Sequence, residues 1–171
     1  MKRVVIMVVL VTIVMSGCMT TNESRAMSSL YSIETQTRQD IRGEISVDSL
    51  LLWKSVGMSG NKIITLEKVS MNSVSQHFFV LDCLIQNWIF VESLMLKIDN
   101  GNVITLKDDT PSRETDRRGN NVYVHEIAKF AISDQIVDQL KNCNSLVLQF
   151  EQSPISIPID GINAVKTFIS K

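Results

Sequence analysis

Apolar positions fall into three textures along this chain. Val4 to Met15 is an unbroken apolar run apart from Thr12. Residues 19–42 are rich in Ser, Thr, Gln, Arg and Glu with no clean period, which reads as a flexible tether with room for a short helix around Met27–Ile33. From about residue 44 the chain breaks into short β-like runs. Ser49–Val56 carries Leu50, Leu51, Leu52 and Trp53, and Gly57 and Gly60 mark a turn after it. Lys62–Ser70 alternates through Ile64, Leu66 and Val69. His77–Ile85 is apolar on both faces: Phe79, Leu81, Cys83 and Ile85 share one side, Phe78, Val80 and Leu84 the other. Such a run predicts a central or covered strand. Ile89–Asp99 alternates, with Leu94, Leu96 and Ile98 inward.

Asn100-Gly101 separates that run from Val103–Lys107. Both residues accept positive φ, so a two-residue hairpin turn is expected there. Lys107–Asn121 is charged and polar and reads as a long exposed loop. Val122–Ile132 resumes strand character, but Glu126 and Lys129 do not share a face, which predicts a bulge. Ser133 caps a helix to Lys141, with Ile136, Val137 and Leu140 towards the core. Leu146, Leu148 and Phe150 alternate in the next strand, and Ile155, Ile157 and Ile159 in the last, where Pro158 argues for an edge. Asp160 opens a final helix striped by Ile162, Val165, Phe168 and Ile169. The sum is a mainly β, β-rich α+β fold. It is an antiparallel sandwich or bent sheet of about eight strands with two short C-terminal helices, a closed β-barrel being the alternative.

The start of the chain carries an address. Lys2 and Arg3, the apolar run and the small Ser16 and Gly17 describe a secretory signal. The run is shorter than the ~20 residues a membrane span needs. The tetrad Met15-Ser16-Gly17-Cys18 resembles the lipobox of bacterial lipoproteins, with Met15 standing where Leu is usual. The resemblance covers residues 1–18 alone. It implies cleavage before Cys18, a diacylglycerol thioether on its thiol and acylation, for example by palmitate, of its new amino group. The chain then divides into a signal peptide at 1–17, a lipidated N-terminus and tether at 18–42, and one β-rich domain at 43–171. The implied location is the bacterial cell envelope with attachment to the membrane through Cys18. The outer membrane is favoured in a Gram-negative cell, because Met19 rather than Asp follows the cysteine.

Charge adds an exclusion. Without residues 1–17, Lys and Arg fall from 17 to 15 against 18 Asp and Glu, a net charge of −3. No basic face supports nucleic-acid binding. Beyond Cys18, two cysteines remain. Cys83 and Cys143 are candidates for a disulfide, the alternative being two buried free thiols.

Candidate chemistry is sparse. His77 and His125 are the two histidines, near Asp82 and Cys83 and beside Glu126 respectively. Adjacent strand residues point to opposite faces, so His125 and Glu126 do not aim at one metal, and no metal or cofactor is expected. No Gly-x-Ser-x-Gly elbow is present, and no catalytic residue is expected. Asp108, Thr110 and Ser112 start a calcium-loop spacing, but Arg113 stands where that loop needs glycine. Trp53, Trp88, Phe78, Phe79 and Phe90 suit either core positions or the lining of a lipid or sugar pocket. The expected function is therefore that of an envelope lipoprotein, a non-catalytic interaction or support module that meets other envelope proteins. A binder of a small apolar ligand or lipid is the alternative, and an enzyme comes third.

Overall fold

A computed structural model describes residues 25, 28–40, 43–58, 60–108, 110–118 and 120–171. The signal and the lipobox cysteine Cys18 lie outside the described residues. The protein is mainly β, and its strands form two antiparallel sheets. In chain order the elements are β1 (Ile33–Asp40), β2 (Gly43–Gly57), β3 (Gly60–Met71), β4 (Val74–Ile85), β5 (Ser93–Ile98), β6 (Ile104–Lys107), β7 (Ser112–Arg118) and β8 (Asn121–Ile132). Helix α1 (Asp134–Asn142), β9 (Leu146–Gln149), β10 (Ile155–Ile157) and helix α2 (Ile159–Ile169) complete the chain. A curled, half-barrel sheet runs β1-β2-β3-β4-β8-β7, and a smaller sheet runs β10-β9-β5-β6.

The two-sided apolar run became β4, which lies inside the large sheet between β3 and β8. One face of that sheet, here the packed face, carries Leu50, Leu66, Phe79, Leu81, Cys83 and Phe130, all fully buried. They join Leu94, Leu96 and Leu148 of the small sheet and Leu140, Val165 and Phe168 of the helices in one core. Ser133 caps α1 as its sequence predicts, its hydroxyl accepting from the Ile136 amide at 3.4 Å. Pro158 sits at the N-cap of α2 just after the edge strand β10.

Four expectations need correction. Residues 33–40, assigned to the tether, form β1 and pair along their whole length with β2. Ser112–Arg118, assigned to a loop, forms β7 and pairs with β8. Both are edge strands of the large sheet. An edge strand gains its register from one neighbour and needs no apolar face of its own. The pair of left-handed residues in a two-residue turn occurs at Asn72 and Ser73, φ 50° and 68°, between β3 and β4. Asn100 and Gly101 lie instead in the longer β5–β6 connection, where Asp99 takes the positive φ of 50°. Finally, β8 pairs with β4 without a break, and the bulge falls in β2 between Leu51 and Trp53.

Candidate functional site

The open face of the large sheet follows from the same alternation. Residues one step out of phase with the core project from it: Val47 and Ser49 on β2, and Thr65, Glu67 and Val69 on β3. From β4 come Phe78, Val80 and Asp82, and from β8 His125, Ile127 and Lys129. Curling of the sheet turns this face into a cleft of about 570 Å³ whose lining comes from β1, β2, β3, β4 and β8 together with Arg25. Its middle is apolar, made by Val69, Phe78, Val80 and Ile127. Leu51 and Ile63, on the same face, form a separate buried apolar pair.

Two charged pairs flank that apolar stretch. Glu67 is only 4% exposed. Its Oε1 accepts from Arg25 Nη2 at 2.8 Å and from the Ser49 hydroxyl at 3.3 Å, with Thr65 Oγ1 at 3.5 Å. Asp82 is 3% exposed, and its Oδ1 lies 2.9 Å from His125 Nε2. Asp82 pairs across the strands with Ile63, four positions along β3 from Glu67. At ~3.3 Å per residue the two carboxylates are about 13 Å apart along the sheet. The hydrogen bond to Asp82 raises the His125 pKa, and the charges of Asp82, Glu114 and Asp116 add to it against the cost of burial. The imidazolium is thereby favoured, and the Asp82 end of the cleft gains positive charge as pH falls through this raised value.

A third buried carboxylate faces the other way. Glu126, 2% exposed, shares the packed face with Cys83. Its Oε2 accepts from the Ile89 and Phe90 amides at 2.9 and 3.1 Å, and its Oε1 from Arg113 Nε at 3.0 Å. A regular strand therefore buries Glu126 because β7 supplies a cation and the β4–β5 connection supplies two amides.

The sequence candidates are scattered rather than gathered. Cys83 and Cys143 are free, buried thiols, so the candidate disulfide is not formed. Burial pushes both thiols up, with Asp82 raising Cys83 further and Asp99 raising Cys143, so neither is an activated nucleophile. His77 lies on the packed side of β4, away from the Asp82–His125 pair. Burial lowers its pKa, and Lys68 and Lys141 lower it further against an opposing Asp134. The aromatics do not line one pocket. Phe79 is core, Phe78 lines the cleft, and Trp53 meets Phe150 edge-on at 5.9 Å. Trp88 and Phe90 stack at 5.9 Å on the β4–β5 connection. Among the described residues, no group of three or more His, Cys, Asp or Glu is placed to hold a metal.

No protein-family model, curated protein or solved structure matches this chain. The site must therefore be judged on its chemistry. A His–Asp pair orients a proton, but hydrolytic chemistry also needs a nucleophile against the imidazole. The two hydroxyls on this face of the sheet, Ser49 and Thr65, are buried and turned to Glu67 instead. A wider depression of about 1240 Å³ lies between the β5–β6 connection and α1. Of its two acids, Asp138 is paired with Lys141, and Asp99 already accepts from the Asn144 and Ser145 amides, which hold its carboxyl below the usual range. That depression is a seam tied by polar caps, and the cleft is the better-built site.

Proposed function

We propose that the protein is a lipid-anchored envelope module that uses the open face of its large sheet to bind a small amphipathic ligand. One observation carries the binding half: two buried carboxylates, one paired with Arg25 and the other with His125, flank an apolar stretch on the floor of an open cleft. A buried ion pair stabilises a fold no better than an apolar pair of similar volume. An apolar cavity with a few convergent polar groups is the usual form of a small-molecule site. The apolar body of the ligand would lie on Val69, Phe78, Val80 and Ile127. Its polar group would meet Arg25–Glu67 or His125–Asp82.

The anchoring half rests on Met15-Ser16-Gly17-Cys18. Cys18→Ser should abolish incorporation of a palmitate analogue and release the protein from membranes. A wild-type N-terminus that carries no lipid and starts elsewhere than Cys18 contradicts the anchor. Native mass spectrometry of protein purified from its host tests the binding half. Wild type should carry an extra small-molecule mass, and Ile127→Trp, which fills the cleft from a half-buried position, should lose it with the fold intact. A wild-type protein that comes out empty, with crosslinked protein neighbours, favours a protein-interaction module instead.

A further inference from the structure

Connections of the large sheet gather at one of its ends. Gly57 pairs with Gly60, Gly60 with Ile85 and Ile85 with Val124. The β2–β3 tip, the β4–β5 connection and the β7–β8 tip therefore leave the sheet on the same side. These segments expose Val56, Met58, Trp88, Phe90 and Val122, with Met58 at 98% and Phe90 at 61%.

The aromatic part of this end is held rigidly. Phe90 takes φ 52°, a left-handed conformation that a bulky side chain rarely adopts. Buried Glu126 holds it there by accepting from the Ile89 and Phe90 amides. The same carboxylate holds Arg113, whose guanidinium lies 5.4 Å from the centre of the Phe90 ring. Trp88 stacks on Phe90 with the rings 28° from parallel. Arg113 also faces Glu92 at 3.6 Å. A strained backbone and a buried charge thus keep two apolar rings turned to the outside. Strain of this kind persists where the exposed arrangement has a use.

We propose that this end of the sheet rests on the lipid bilayer surface, with Trp88 and Phe90 in the interfacial layer. The inference rests on the lipid anchor at Cys18. Arg25 lies seven positions after Cys18, a reach of about 25 Å at most. Arg25 is bonded to Glu67, which lies seven positions along β3 from Gly60, about 23 Å. The end of the sheet is therefore within reach of a bilayer that the anchor keeps close at high effective concentration. The shape fits the same partner. The apolar side chains project from three separate segments of this end, and a fluid surface takes them without matching their contour. A stable protein interface needs a continuous complementary patch of roughly 800 Å² per partner. Tryptophan and phenylalanine rings also suit the headgroup level, where aromatic side chains settle between water and acyl chains.

The test uses the mature acylated protein carrying Trp53→Phe, so that Trp88 is the sole tryptophan. It is reconstituted into phosphatidylethanolamine–phosphatidylglycerol vesicles with and without brominated phosphatidylcholine. Trp88 emission should shift to the blue on reconstitution and fall at least two-fold with brominated lipid. The Trp88→Phe protein, which reports from Trp53, should change far less. Phe90→Asn places a residue tolerant of positive φ at the strained position. It should hold or raise the melting temperature while cutting the quenching by half or more. Acylated, vesicle-bound protein with unquenched Trp88 overturns the proposal and leaves the anchor standing, as does Trp88 shielded only after another envelope protein is added. An N-terminus without lipid, read by mass in the same sample, overturns the anchor and the proposal together.

Discussion

The two faces of the large sheet are made by the same strands, one residue out of phase, and they meet different surroundings. On β4, Phe79, Leu81 and Cys83 enter a dry core, while Phe78, Val80 and Asp82 line a cleft. On β3, Leu66 is core and its neighbour Glu67 is a buried carboxylate. The packed face is apolar almost throughout. Its one buried acid, Glu126, is closed on three donors from β7 and the β4–β5 connection. The open face keeps its acids beside an accessible apolar floor. Period-two alternation alone does not separate these uses, because both faces read as largely apolar. What separates them is where the polar residues fall and whether the elements that cover a face satisfy them.

Substitutions on the packed face should cost the most stability. Phe79→Ala should destabilise the protein by about 3–5 kcal/mol, because the fully buried ring leaves a cavity between two sheets. Val80→Ala, one residue along, should cost about 1–2 kcal/mol, since it removes two methyl groups beside an existing cleft and encloses no new void. Chemical denaturation of the two variants checks the contrast. Equal losses would mean that the open face is as much core as the packed one.

Next in size is a contrast between buried glutamates. Glu126→Ala should cost about 2–3 kcal/mol, since two amides and Arg113 lose an ionised acceptor inside the structure. It should also free the Trp88–Phe90 segment, seen as a change in Trp88 fluorescence. Glu67→Ala should cost about 1 kcal/mol, because water in the cleft reaches Arg25, which lines it. Thermal melts of both variants at one pH decide this, and a larger loss at Glu67 would place that pair within the fold's stability rather than in the cleft's function.

The smallest effect sharpens the comparison through pH. The folded pKa of His125 is raised, so its contribution is full below the unfolded value of about 6.5 and is lost as pH rises through the folded value. His77, on the packed face, has a lowered pKa, so the unfolded chain takes its proton first and stability falls as pH drops through about 6.5. The two oppose each other. His77→Gln should leave a protein that gains stability between pH 8 and 6, whereas His125→Gln should leave one that loses it over the same range. Melting temperatures of the two variants moving in the same direction with pH would remove this account of the faces.

Much of the packed face could be read in the chain. The two-sided run of β4, the alternation of Leu94, Leu96 and Ile98, the Ser133 cap and the stripe Ile162, Val165, Phe168 and Ile169 are local patterns, and local patterns survive folding. The polar strands could not. Ile33–Asp40 and Ser112–Arg118 bury little of their own and owe their conformation to β2 and β8, long-range partners that composition does not name. For the same reason Glu126 suggested a bulge, because its partner Arg113 sat in a stretch read as loop. The site was less legible still. Asp82 and His125 are 43 residues apart in the chain, and only the register of β4 against β8 brings them together. Glu67 and Arg25 carry no motif, and they meet across 42 residues of chain only once β3 is folded.

The central claim is that the open face binds and the packed face folds. Methyl NMR tests it most directly, with the protein labelled at Val, Leu and Ile and titrated with an extract of its host's envelope. The account predicts that resonances of Val47, Val69, Val80 and Ile127 shift, while those of Leu66, Leu81, Leu96 and Leu148 stay in place. Shifts concentrated on Ile98, Ile104 and Ile136 around the wider depression, or no shifts at the cleft, would contradict it.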